Sequence, residues 1–165
     1  MTMSTDAALR ELAANFPRAG TLRWIGLRPA SGVRMSAVAS VEARAGAGLA
    51  GDRHHGSGRR QVTLIQAEHL PAIAALTGHA AVDPAWLRRN LLVAGINVQA
   101  LVTAHFRIGD VLLQGSGPCE PCARMEQALG AGGCAAMTGH GGITARILEG
   151  GMLHVGDPVR FVALD

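Results

Sequence analysis

Aromatic residues are scarce in this chain: three phenylalanines, two tryptophans and no tyrosine, 3% of 165 residues. Proteins that bind nucleic acid interleave cations with stacking rings. Here the arginines are scattered and the rings few, so nucleic acid is not an expected partner. Cysteine is equally sparse, and three is an odd number that excludes a fully paired disulfide framework. The first residues lack the basic-then-apolar pattern of an export signal. No apolar run approaches the roughly 20 residues that span a bilayer. The expectation is a cytoplasmic, reduced protein with no membrane partner. A net charge of +3 and a pI near 9.3 are only mildly basic. Small anions remain natural ligands, because a few converging arginines hold a phosphate or a pterin-type anion without a large net charge.

What is present points to one domain with many turns. The length suffices for a core that folds without staples, and 22 glycines favour strands and corners over long helices. Residues 5–16 read as a peripheral amphipathic helix ended by Pro17, so residues 1–19 form an N-terminal extension to a domain spanning 20–165. A strand is expected around Leu22 and Trp24, and a second, kinked strand over 33–44. Residues 60–66 read as strand and the segment ending at Gly78 as helix. Asp83 and Pro84 open a short helix whose end presents Arg88, Arg89 and Asn90. Two Gly-Asp corners, Gly109-Asp110 and Gly156-Asp157, each lead into a strand. Strands outnumber helices without regular βαβ alternation, so the fold class is mainly β with short helices, a barrel-like single domain.

The sharpest chemistry lies in Cys119-Glu120-Pro121-Cys122. If Pro121 opens a helix closed by Gly130, Cys122 falls in its first turn, where unpaired N–H groups and the nearby Arg124 favour a thiolate. Cys122 is therefore the candidate reactive thiol and Cys119 its second thiol, while Cys134, alone among small residues, reads as structural. The glycine-rich residues 46–58, with Arg53, His54 and His55 at their centre, form a functional-loop candidate. Their Gly spacing lacks the following helix that dinucleotide binding needs, and adjacent histidines suit zinc poorly.

Gly48-Leu49-Ala50-Gly51-Asp52-Arg53-His54, the run from Arg60 to Ile65, Arg88-Arg89-Asn90-Leu91, Cys119-Glu120-Pro121-Cys122 and Leu148-Glu149-Gly150-Gly151 with Val155-Gly156-Asp157 together resemble the MOSC domain. That family takes its name from the C-terminal domain of molybdenum cofactor sulfurase. The resemblance runs from about residue 20 to the end. It implies a MOSC-type β-barrel, binding of molybdenum cofactor (molybdopterin), and a cysteine that serves as molybdenum ligand or persulfide carrier. Cys122 matches that cysteine; Arg88 and Asn90 match cofactor-side residues, with Arg53, His54 and Arg124 as further cofactor-binding candidates. The implied activity is reduction of N-hydroxylated compounds or sulfur transfer to the cofactor, with a small-molecule substrate and an external electron or sulfur donor. Pyridoxal phosphate, associated with the family through a separate aminotransferase-like domain, is not expected here. Two other readings stand beside this one: a C-x-x-C thiol–disulfide protein, and a small-anion binding module without catalysis.

Overall fold

The structure is a computed structural model that describes residues 4–164. Its strands are β1 (Gly20–Leu27), β2 (Ser36–Val38), β3 (Ser40–Arg44), β4 (Gly48–Leu49), β5 (Val62–Gln66), β6 (Leu91–Ala94), β7 (His105–Ile108), β8 (Val111–Pro118), β9 (Ile143–Glu149), β10 (Gly151–His154) and β11 (Pro158–Val162). Four short helices accompany them: α1 (Thr5–Ala13), α2 (His69–Thr77), α3 (Ala123–Leu129) and α4 (Gly133–Met137). The order β11-β7-β8-β9-β5-β6-β1, closed by pairing of β1 with β11, makes a seven-stranded barrel, with β2 outside on the edge of β1. Strands β3, β4 and β10 form a separate small sheet. The mainly β barrel expected from the sequence is the fold observed.

Alternation explains why these segments are strands. In β7 the residues Phe106 and Ile108 are buried while His105 and Arg107 are not fully so, and β9 alternates in the same way. Strands β5 and β6 are instead buried along their whole length. They form a parallel pair joined through α2, and helices cover their outer face. This one βαβ unit is the exception to the otherwise antiparallel barrel, and its uniform apolar run is what a strand covered on both sides requires.

Two apolar clusters result. Leu22, Ile25, Leu64, Val93, Phe106 and Ile147 belong to the larger one, which all the barrel strands supply. The smaller one packs Ile65 and Leu92 against Ile73 of α2, Met125 and Leu129 of α3, and Met137 of α4. It fixes α3 and α4 to the barrel wall.

Two expectations need correction. Residues 33–44 are not one kinked strand: β2 pairs with β1 while β3 pairs with β10 and β4 in the other sheet. The lost alternation near Val38 is the point where the chain changes sheets. The N-terminal helix ends at Ala13 rather than Phe16, whose ring stacks on Phe161 at 5.1 Å. Helix α1 itself buries no residue.

Candidate functional site

The cysteine segment leaves β8 and enters α3. The helix begins at Ala123, and Cys122 is its N-cap, with extended backbone at φ −134° and ψ 178°. The expectation that Pro121 is the first helical residue is thus two residues too early, and Cys122 sits at the cap rather than in the first turn. Gly130 closes α3 as expected. Cys122 is exposed, whereas Cys119 is buried at 3% exposure. The Cys119 backbone is held at both ends: its N–H donates to the Gly142 carbonyl at 2.9 Å, and its carbonyl accepts from Arg89 Nη2 at 3.2 Å. Contact is close because Gly141 and Gly142 lack side chains. A Cβ on Gly141 would collide with the Cys119 carbonyl, and one on Gly142 with that of Leu64. Cys134 is half-buried at the start of α4, and its thiol donates to the Cys122 carbonyl at 3.1 Å.

Arg89 is 2% exposed and faces carbonyls only. Its guanidinium donates to Gly141 (2.8 Å), Leu87 (3.1 Å), Cys119 (3.2 Å) and Glu120 (3.3 Å). A planar fork with five donors suits such a cradle, which a lysine could not fill. Burial draws the Arg89 pKa below its ordinary value, an effect opposed by Cys119 and Cys122 and reinforced by Arg60 and Arg28. Arg89 thereby stitches the cysteine segment to the loop before β9.

A second buried group joins the ends of β1 and β4 to the start of β6. Arg28 and Asp52, both 3% exposed, pair through Nη2 and Oδ2 at 2.9 Å, and Oδ1 accepts from the Arg28 backbone N–H at 2.7 Å. Asn90, fully buried, completes the cluster: Oδ1 accepts from Arg28 Nη2 and from the Thr63 N–H, each at 3.1 Å, and Nδ2 donates to the Gly26 carbonyl at 3.0 Å. The Asn90 side chain is therefore committed to this cluster, and it positions Arg28 rather than reaching outward.

Arg88 is the opposite case. After the 3-10 turn Pro84–Leu87, capped as expected by the Asp83 carboxylate on the Ala85 N–H at 2.9 Å, Arg88 adopts φ 55°. Among the described residues it is the only non-glycine with positive φ. A side chain there costs about 1–2 kcal/mol of backbone energy. Its Nη1 donates to the Val33 carbonyl at 3.0 Å, but Nη2 is buried without a hydrogen-bond partner. Burial first, then the fields of Arg124, Arg28 and Arg53, push the Arg88 pKa down, with Asp52 opposing. Arg88 and Arg124 line a cleft of about 510 Å³ with Arg34, Met35 and Trp86. Arg124 is exposed, donating to Ser31 Oγ at 3.3 Å. Arg53 lines a second, polar cleft of about 550 Å³ with Gly48, Gly51, Asp52 and His55. His54 is exposed; partial burial, then Arg28, Arg60 and Arg53, hold its pKa below the ordinary histidine value against Asp52.

Arg28, Arg53 and Arg124 lie near enough to depress the Arg88 pKa, and Arg28 and Arg53 near enough to depress that of His54, so these groups share one cationic neighbourhood, while Arg89 holds the Cys119 carbonyl. Sequence reasoning missed Arg28 and Arg89. Arg28 carries no local signal, and Arg89 is masked by its neighbour. Among the described residues, no three His, Cys, Asp or Glu side chains converge as a metal site. All 15 Lys and Arg positions are arginine, so these 165 residues hold no lysine on which pyridoxal phosphate could form its Schiff base.

Comparison with known proteins agrees with this architecture. No curated protein matches the chain. Among solved structures it resembles the YuaD protein from Bacillus subtilis, with a TM-score of 0.78 at 17% identity over 92% of this chain and 100% of that one. It also resembles YiiM from Geobacillus stearothermophilus (TM-score 0.71, 19% identity, 87% and 75% covered). YiiM from Escherichia coli is similar as well (0.67, 20%, 90% and 72%). At these identities the likeness is one of fold. A profile of the MOSC domain matches residues 51–160, a span that includes the second half of the glycine-rich loop, Arg88, Arg89 and all three cysteines, and the chain belongs to the MOSC domain family.

Proposed function

We propose that this protein binds molybdenum cofactor, with Cys122 as the single protein thiolate offered to the metal or to a transferable sulfur. The observation that carries the reading is Arg88. It occupies a strained backbone position that glycine would fill more cheaply, and it keeps a buried Nη2 without a partner beside three further guanidiniums. Residues in strained conformations persist where the surroundings enforce them, and they cluster at functional sites. An unpaired buried guanidinium donor calls for an acceptor with several oxygens, as phosphate has.

The residues present fit such a group. A cofactor that carries its own sulfur ligands needs few ligands from the protein, which suits a site with one exposed cysteine and no cluster of three ligands. Arg88, Arg124 and Arg53 would hold the anionic end, Cys122 would supply soft sulfur, and Asn90 and Arg89 would keep the two segments in register. When bound, molybdenum supplies two-electron redox chemistry or a terminal sulfur site. The chain's own part is to bind, orient and offer the thiol; an external electron or sulfur donor completes either activity, reduction of N-hydroxylated compounds or sulfur transfer.

The test is elemental analysis and release of the fluorescent oxidised pterin from protein expressed in a molybdate-supplied host. Stoichiometric molybdenum with pterin supports the reading. Protein that binds inorganic phosphate at the arginines yet carries neither molybdenum nor pterin would instead favour an anion-binding module.

A further inference from the structure

Cys134 was the cysteine without an assigned task, and its placement gives it one. The α3–α4 corner is held by Glu126, whose carboxylate accepts from the Gly132 N–H at 2.6 Å and the Cys134 N–H at 2.8 Å. These bonds, Cys134 first, lower the Glu126 pKa, so the corner stays clamped at neutral pH. The clamp sets the Cys134 thiol against the Cys122 carbonyl at 3.1 Å. That hydrogen bond sets the Cys134 sulfur against the main chain of Cys122 itself, and rotation about χ1 is the freedom by which two neighbouring cysteine side chains bring their sulfurs together. Cys119 is nearer in sequence but is buried at 3% exposure, with its backbone tied to Gly142 and Arg89. Thiol exchange depends on access as well as on the thiolate. Access favours the pair that is distant in sequence.

We infer that Cys134, and not Cys119, is the resolving thiol of Cys122. With a low-molecular-weight disulfide such as glutathione disulfide as oxidant, the Cys122 sulfur attacks one sulfur of the reagent. The S–S bond breaks, a Cys122–glutathione mixed disulfide forms, and the first glutathione leaves with the proton of Cys122. Cys134 then attacks the Cys122 sulfur, closing a Cys122–Cys134 disulfide and releasing the second glutathione, which takes the proton of Cys134. Two protein thiols are oxidised and one reagent disulfide is reduced to two thiols. The second step is intramolecular, so it outruns further exchange with solution thiols. The bond would withdraw the exposed Cys122 thiol and return it on reduction.

The inference does not depend on a bound cofactor, and its test reads thiol pairing directly. The reduced full-length protein is incubated with glutathione disulfide, blocked with N-ethylmaleimide, digested without reductant and mapped by mass spectrometry. The expected product is a peptide pair joined through Cys122 and Cys134, formed equally by Cys119→Ser. Cys134→Ser, with an unchanged melting temperature, should instead accumulate the Cys122–glutathione adduct at least tenfold over wild type. A Cys119–Cys122 disulfide as the main product, or a wild-type adduct as persistent as that of Cys134→Ser, overturns the assignment.

Discussion

Two arginines adjacent in sequence define two kinds of site. Arg89 spends its guanidinium on four backbone carbonyls and is closed to any ligand. Arg88 holds one carbonyl and keeps a buried donor free, at a backbone angle that costs energy. The Arg28–Asp52–Asn90 cluster resembles Arg89 in being saturated, and Arg124 and Arg53 resemble Arg88 in lining open clefts. The saturated groups set geometry and the open groups offer charge. Substitution should therefore cost stability in the first set and binding in the second.

The largest stability effect is expected for Asp52→Ala. It leaves Arg28 as a buried, uncompensated cation, a change that costs about 3–5 kcal/mol, read as a fall in the urea midpoint. A loss under about 1 kcal/mol would mean that Arg28 finds water or another partner and that the cluster is not the closed unit described.

Arg89→Met comes next. It deletes a buried charge together with the bonds that satisfy the Gly141 and Cys119 carbonyls, so the two costs partly offset and about 2–3 kcal/mol is expected. Faster alkylation of Cys119 should accompany it, because the segment loses its stitch. Unchanged Cys119 protection would separate Arg89 from the cysteine loop.

Arg88→Gly should alter stability by less than about 1 kcal/mol, since relief of positive φ offsets glycine's entropy and the lost bond to Val33. Anion binding, followed by titration with inorganic phosphate or by pterin content, should fall at least tenfold. A variant that is much less stable, or that binds as before, would move Arg88 into the structural set.

The smallest effect concerns His69, whose ring meets His140 edge-on at 4.5 Å. Burial, then the neighbouring His140, hold its pKa below the ordinary value, while Glu68 opposes. A group with a depressed folded pKa contributes stability that is complete above its unfolded pKa, near 6.5, and is lost as pH falls through the folded value. The urea midpoint of wild type should thus drop more between pH 7.5 and 5.5 than that of His69→Gln. Parallel drops would assign the acid sensitivity elsewhere.

Much of the barrel was legible because its strands obey period two and its corners use Gly-Asp, as at Gly109-Asp110 and Gly156-Asp157. The sheet change after Val38 was not, since both segments alternate and nothing local says that they pair with different partners. At the site, the exposed Cys122 beside proline and the Asp83-Pro84 cap could be read from local chemistry. Asn90 was recognised but its surroundings were not: its commitment to Arg28, Thr63 and Gly26 depends on contacts across more than 25 positions of chain. Arg28 was hidden for the same reason, and Cys134 because its bonds to Glu126 and Cys122 depend on how α3 and α4 turn on each other. The helix start at Ala123 differs from expectation because Pro121 tolerates a first-turn position without requiring it.

The most direct test of the account compares molybdenum retained after desalting in wild type, Cys122→Ser, Cys119→Ser and Arg88→Gly, each expressed with molybdate and checked for an unchanged fold. The account predicts near-stoichiometric metal in wild type, most of it kept by Cys119→Ser, and at least a tenfold loss in both Cys122→Ser and Arg88→Gly. Metal that survives in Cys122→Ser and Arg88→Gly but disappears with Cys119→Ser would contradict it.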